Sequence, residues 1–276
     1  MRQQPHIHLV RDPATGIEAI RARFTGHAYD MHRHDEWLVG VTERGVQDFF
    51  CRGSRQRSTT GRTILIEPHE MHDGQAITQA GFRYCMLYLP QNWLRAQLAQ
   101  LGMQLSGFRT TLCSDRPLGD AIRTACRTLE ASSGRLANDA ALDAVIERLR
   151  PYATGVAREI PAHRSLAARR ARERLHDQLA EDYGADELAR SAGAADRFQL
   201  ARAFRAAYGT SPHAYLLQIR LAAARRQLAR GERLIDVAFA CGFADQSHLG
   251  RCFRRAYGVT PGTYRDCCTG VPDDPH

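Results

Sequence analysis

From residue 17 to residue 89 the apolar side chains come in short runs. The stretches "EWLVGV", "QDFFC", "TILIE" and "FRYCMLYL" are rich in β-branched and aromatic residues and are separated by glycine-bearing turns. That texture predicts the strands of an all-β sandwich or barrel. Within "FRYCMLYL", Phe82, Tyr84, Met86 and Tyr88 alternate with Arg83, Cys85, Leu87 and Leu89, the period of a strand. Beyond Pro90 the period turns helical: Leu94, Leu98 and Leu101, then Leu118, Ile122, Cys126 and Leu129, then Leu142, Val145, Ile146 and Leu149. These stripes predict helices that trail the sheet and either pack back on it or form a dimer interface. The segment "RPYATGVAREIPAHRS" has the Pro, Gly and Ala texture of a linker. The chain therefore reads as a two-domain α+β protein, with a β-rich domain over 1–150, a linker over 151–165 and an all-α domain over 166–276.

The helical part repeats itself. "ARAFRAAYGTSPHAY" from Ala201 is matched by "GRCFRRAYGVTPGTY" from Gly250, and the match extends outward. Leu188-Ala189 pairs with Val237-Ala238, Gly193 with Gly242, Asp196 with Asp245, Phe204 with Phe253 and Pro212 with Pro261. In each copy a short helix ends on a glycine suited to a left-handed cap. An aspartate three positions later caps a second helix, and Gln199 completes a capping-box pattern in the first copy. The second helix buries Leu200, Ala203, Phe204 and Ala207, or Leu249, Cys252, Phe253 and Ala256. Its outer face carries arginine. Helix, glycine turn and basic helix is the helix-turn-helix pattern, whose second helix enters the major groove. The connector, Pro212 to Arg230, is about 28 Å long at 1.5 Å per residue, which approaches one helical repeat of DNA.

Charge sharpens this picture. All 38 residues of the Lys+Arg count are arginine, against 30 acidic residues, for a net charge of +8. Between Arg197 and Arg265 the balance is 12 arginines to 3 acids, a density that favours a polyanion partner. The eight cysteines show no C-x2-C spacing, and "MRQQPHIHLV" has no signal-peptide core. These features predict a cytoplasmic protein with reduced thiols. No apolar run approaches the roughly 20 residues of a membrane span.

The stretch "DVAFACGFADQSHLGRCFRRAYGVTPGTYR" resembles the signature of the AraC/XylS family of bacterial transcription regulators, and the likeness covers about residues 165 to 265. The resemblance implies double-stranded DNA as a partner, with RNA polymerase and a second copy of the chain beside it. Carried over by position, it implies base reading by Phe198, Ala201 and Arg202 in the first unit and by Gln246, Ser247, Gly250 and Arg251 in the second. Arg197, Arg205 and Arg254 complete the expected DNA-binding set. Arginine to guanine O6/N7 is the natural pairing, with the remaining arginines on phosphate.

The first half resembles the cupin-type sensor domain of such regulators. "MHRHDEWLVGVTERG" and "GRTILIEPHEMHDG" match the two cupin motifs at His32, His34, Gly45, Pro68 and His72. The resemblance implies a cupin-like β-barrel with trailing helices and a small-molecule effector at His32, His34, Glu36 and His72. It also raises a metal at His32, His34 and His72, because imidazole suits zinc, iron, manganese or nickel. Glu36 falls early for the cupin glutamate, and His69 or Glu70 stands where the second motif has glycine.

The function expected is a sequence-specific, ligand-responsive transcription regulator, not an enzyme. The alternative is a metal-dependent cupin enzyme fused to a DNA-binding module, which requires an intact open metal site. A methyl-accepting repair sensor would need clustered amino-terminal cysteines, whereas Cys51, Cys85, Cys113 and Cys126 are scattered.

Overall fold

A computed structural model describes residues 6–155 and 165–269. The chain divides into two compact units, Met1–Arg158 together with Arg254–His276, and Glu159–Phe253. Among the described residues no helix is long and apolar enough to cross a membrane.

The first unit opens with β1 (His6–Arg11), β2 (Glu18–Phe24), β3 (His27–His32), β4 (Trp37–Cys51), β5 (Ser54–Thr59), β6 (Thr63–Ile66), β7 (His72–Ala76) and β8 (Phe82–Leu89). Helix α1 (Gln91–Gln100), the short strands β9 (Gly107–Phe108) and β10 (Leu112–Cys113), helices α2 (Arg116–Glu130) and α3 (Arg135–Leu149), and β11 (Ala153–Thr154) follow. "EWLVGV" and "QDFFC", expected as separate strands, are the two halves of β4. Its first half pairs with β6 and β8; its second pairs with β5 and, at Gln47 and Asp48, with β7. The turn between the halves falls at Gly45, with φ of 74°. A Cβ there would lie 2.2 Å from the Gly81 carbonyl, so no other residue fits.

The expected barrel does not close. The main layer runs β1-β2-β8-β4-β6-β10, while β5, β7 and β3 branch from β4 into a second layer. A barrel requires its outermost strands to pair. Among the described residues β1 pairs only with β2, and β10, two residues long, only with β6. The result is an open two-layered sheet.

One face of the main layer carries Ala19, Val39, Val41, Leu65, Cys85, Leu87 and Leu89, covered by Leu94 and Leu98 of α1, Leu118, Ile122 and Cys126 of α2, and Leu142, Val145 and Ile146 of α3. The helical stripes thus pack back on their own sheet, the first of the two outcomes expected of them. This explains why "FRYCMLYL" is buried at seven of its eight positions rather than at alternate ones: the helices cover one face, and on the other Tyr84 packs on Phe24 and Tyr88 on His34. Pro151 to Thr154, read as the start of a linker, is folded, because Ala153 and Thr154 pair with Phe108 and Gly107. The rest of that segment, 156–164, lies outside the described residues.

The second unit contains α4 (Leu166–Asp177), α5 (Ala185–Ala192), α6 (Arg197–Tyr208), α7 (Pro212–Leu228), α8 (Leu234–Ala240) and most of α9 (Gln246–Tyr257). The end of α9 and all of α10 (Pro261–Thr269) pack with the first unit. Leu188, Ala189, Leu200 and Phe204 form one core with Ala168, Ala171 and Leu175 of α4 and with Tyr215, Leu216 and Ile219 of α7. Gly193 and Gly242 take the left-handed conformation at φ of 75° and 74°. The Asp196 carboxylate accepts from the Gln199 amide at 2.7 Å and the Asp245 carboxylate from the His248 amide at 2.6 Å, so both predicted caps form. The Gln199 side chain reaches back to the Ala195 amide, one residue ahead of the capping residue itself. Connector α7 starts at Pro212 behind a Ser211 cap and spans 17 residues, about 26 Å.

Candidate functional site

The side of the main layer away from the helices gathers three histidines. His32 ends β3 and His72 begins β7, and the two are direct cross-strand partners, which places both imidazoles on one face. His34 follows two residues after His32 and returns to that face. All three are buried at 4% exposure. Their ring centroids lie 4.4 Å apart for His32 and His72, 4.7 Å for His32 and His34, and 5.3 Å for His34 and His72. One ligating atom from each lies within 4.8 Å of the others, and among the described residues no carboxylate or thiol joins the group.

Backbone carbonyls set the tautomers. His32 Nδ1 donates to the Asp30 carbonyl at 2.7 Å, and His72 Nδ1 donates to the Glu70 carbonyl at 2.9 Å. A carbonyl only accepts, so both Nδ1 atoms carry the proton and both Nε2 atoms present lone pairs. His34 Nε2 lies 2.8 Å from His32 Nε2 and donates to it. Burial pushes the His72 imidazole down to about 4, with the Glu70 carbonyl only partly opposing, so this ring is neutral at neutral pH. This is the arrangement that orients metal-ligating histidines: a fixed Nδ1–H outside and a bare Nε2 within. Three imidazoles without a carboxylate fit a zinc-class ion, whose catalytic and exchangeable sites use three protein ligands and an open position.

Tyrosines wall the site. Tyr29 meets His32 edge-on at 5.1 Å, Tyr88 meets His34 at 4.9 Å, and Tyr257 lies 5.3 Å from His34 and 5.7 Å from His32. The Tyr29 hydroxyl accepts from Gln47 Nε2 at 2.7 Å, and burial raises the pKa of this phenol well above its ordinary value. Tyr84 instead stacks with Phe24 and Phe82 in the adjoining core.

Of the sequence-predicted sensor residues, the structure brings together His32, His34 and His72 and leaves Glu36 outside the cluster. The chain bends at Asp35 and Glu36 before β4 begins with buried Trp37, which breaks the parity that would carry residue 36 to the histidine face. His69 occupies the second motif's glycine position, at φ of 65°. Its amide donates to the His34 carbonyl at 2.7 Å, tying the two motifs together. Tyr29 and Tyr257 were not read from sequence. The only signal for Tyr257 was its place in the repeat, opposite Tyr208.

The second candidate surface is the outer face of α6 and α9. Arg197, Phe198, Arg202 and Arg205 are exposed, as are Gln246, Ser247, Arg251 and Arg254. The Arg197 guanidinium lies over the Phe198 ring at 4.9 Å and near Asp186 at 3.8 Å. Phe198 is 60% exposed although large and apolar, at the end of α6 that a helix-turn-helix presents to bases.

Comparison with known proteins places these two surfaces. Residues 14–147 match the model of the AraC-like ligand binding domain, and residues 188–266 match that of a helix-turn-helix domain. The chain belongs to the AraC family of transcription regulators. It is a DNA-binding regulator with a ligand-binding domain ahead of its helix-turn-helix pair. The HTH-type transcriptional regulator YbfI of Bacillus subtilis strain 168 is 26% identical over 230 residues, covering 82% of this chain and 83% of that protein. The crystal structure of unsaturated fatty acid bound ToxT from Vibrio cholerae strain SCE256 superposes with a TM-score of 0.55 at 12% identity, over 99% of this chain and 100% of that one. At that identity the likeness is one of fold: a sheet-rich unit and a helical DNA-binding unit in one chain.

Proposed function

We propose that this regulator takes its effector at His32, His34 and His72 and reads two adjacent major-groove segments through α6 and α9. The observation that carries the sensor half is the His32–His72 cross-strand pair, whose Nε2 lone pairs converge with the His34 ring in a buried, tyrosine-walled site. A zinc-class ion would be held by those three nitrogens and would supply a fixed positive centre for an anionic or hydroxyl-bearing ligand. Glu36 plays no part in holding it. The ToxT structure contains a fatty acid, which supports a small molecule as effector for this fold. The site here is lined by imidazole and phenol, which favours a metal or a small polar ligand over an acyl chain.

In the DNA-binding half, Arg202, Gln246 and Arg251 supply most of the base readout, with Phe198 against a thymine methyl and Ser247 beside Gln246. Arg197, Arg205 and Arg254 contact phosphate and set register. The family membership supports a homodimer, RNA polymerase as a partner and action in the cytoplasm. The matched ligand-binding and helix-turn-helix domains support a regulator over a cupin enzyme fused to a DNA-binding module.

Two measurements test this reading. Purified protein carries one equivalent of metal, lost when His32, His34 and His72 are all alanine, and the triple variant no longer responds to effector. A triple variant that keeps its response moves the effector elsewhere. Selection of bound DNA at a fixed salt concentration enriches two short segments about one helical turn apart. Uniform, salt-sensitive binding without a motif overturns base readout by α6 and α9.

A further inference from the structure

The two copies of the helix-turn-helix end on the same tyrosines but place them differently. In the first copy Tyr208 packs on Phe204 and Tyr215, at ring distances of 4.7 and 5.7 Å, inside its own helical core. Its counterpart Tyr257, the last residue of α9, lies against the imidazoles of His32 and His34. The residues around Tyr257 are fastened to β1, β2 and β3, the last of which ends in His32. Arg255 Nε donates to the Asp30 carboxylate at 2.8 Å, and the backbone carbonyl of that same Asp30 holds His32 Nδ1. The Tyr264 hydroxyl donates to the buried Glu18 carboxylate at 2.6 Å. Gly258 lies so close to Ile7 that a Cβ would stand 2.8 Å from its Cδ1.

We propose that Tyr257 reports occupancy of the histidine site to α9, because a zinc-class ion held by His32, His34 and His72 moves the imidazoles on which its ring rests. This rests on the effector site argued above and adds the route by which it acts. Without metal, the two facing Nε2 atoms of His32 and His34 are 2.8 Å apart and share one proton donated by His34. Tetrahedral zinc with Zn–N bonds of about 2.0–2.1 Å holds its nitrogens about 3.3 Å apart. Ion binding therefore displaces the His34 Nε2 proton, to Nδ1 or to solvent, spreads the His32–His34 pair and draws His72 inward. The Tyr257 ring contacts both members of the pair that spreads. It stands on the same 12-residue helix as Gln246, Ser247 and Arg251, about 18 Å end to end. A rigid helix whose last residue changes seat is the discrete element that coupling requires.

Linkage makes the test reciprocal: whatever factor zinc applies to DNA affinity, DNA applies to zinc affinity. Zinc titration of the full chain by calorimetry, with and without a DNA fragment recovered by selection, gives one direction. DNA binding with and without zinc, at fixed salt, gives the other. The wild type is expected to show the same factor both ways, about 5- to 150-fold. Tyr257→Ala is expected to bind both partners with the factor reduced to one, and Tyr257→Phe, which keeps the ring, to retain it. Arg255→Ala, at a side chain 75% exposed and safe for folding, is expected to lower the factor. Zinc binding with undiminished coupling in both Tyr257→Ala and Arg255→Ala overturns this proposal alone. Absence of zinc binding by the wild type overturns the effector site and this proposal together.

Discussion

The two helix-turn-helix copies are alike where they face DNA and unlike where they end. Both cap their second helix with aspartate, both bury a phenylalanine fully, and both expose arginine at the equivalent positions 202 and 251. They part at the tyrosines. Tyr215 accepts from Arg172 Nε at 2.9 Å and shares a hydrogen bond with His176, also at 2.9 Å, which locks α4 to α7. Tyr264, its repeat partner, hydrogen-bonds to Glu18 of β2. Duplication thus preserves the spacing of residues without preserving their partners. The first copy ties its last tyrosine to α4, and in the second α10 bonds to the sheet of the sensor.

The largest effects test the likeness. Phe204 and Phe253 are both 0% exposed, and either Phe→Ala change is expected to cost about 3–5 kcal/mol of stability. Comparable losses in thermal or denaturant unfolding support two equivalent cores; a loss confined to one copy breaks the comparison. The next effects test the difference. Tyr264→Phe removes a hydrogen bond to a carboxylate and is expected to cost about 1.5–3 kcal/mol, and Tyr215→Phe somewhat less. Location is the sharper readout. By hydrogen exchange, Tyr264→Phe should loosen β2 and α10, whereas Tyr215→Phe should loosen α4. The same pattern from both variants would mean that the tyrosines are not differently employed.

How far the chain could be read from its sequence follows the same division. Apolar runs located β4, β6, β8 and the trailing helices, and the internal repeat located both helix-turn-helix units, because burial on one face leaves a repeating mark; the more polar β1, β3, β5 and β7 and the mixed β2 left no such mark. The alternation of "FRYCMLYL" suggested alternate burial where the structure buries nearly every residue, since a helical layer on one face and packed aromatic and histidine rings on the other leave no solvent side. Closure of the barrel was not legible either. It depends on whether distant edges meet, and Gly45, which bends β4 between layers, looks the same in either outcome. His32, His34 and His72 were found through the resemblance to the two cupin motifs. Glu36 was drawn in by the same resemblance although it falls early for the cupin glutamate, and the bend at Asp35 and Glu36 leaves it outside the cluster. His69 was recognisable as standing at a glycine position, and its φ of 65° costs about 1–2 kcal/mol of local strain. Tyr257 could not be placed by periodicity, since a repeat says which residues correspond and is silent on what each one touches.

Base reading returns the comparison to its likeness. Arg202→Ala and Arg251→Ala are each expected to cost about 1–3 kcal/mol in operator affinity and to relax sequence preference at one segment only. Quantitative binding to operators mutated in either segment separates the two, and relaxation of the same segment by both variants would mean that the copies do not read different grooves.

The smallest effect tests the equivalence most finely. Asp196 and Asp245 make the same bond, to an amide three residues on, at 2.7 and 2.6 Å. Each Asp→Ala change is expected to cost about 1 kcal/mol, within the usual range for a lost cap. The first copy has a further link, because Gln199 accepts from the Ala195 amide at 2.7 Å, while the second has His248 at the equivalent position. The turn before α6 therefore retains one side-chain anchor when Asp196 is removed. On this argument Asp245→Ala should fray the start of α9 more than Asp196→Ala frays α6, visible as faster exchange of the His248 and Leu249 amides than of Gln199 and Leu200. Adding Gln199→Ala to Asp196→Ala should remove the difference. Equal fraying in the two single variants would show that the glutamine anchor contributes nothing.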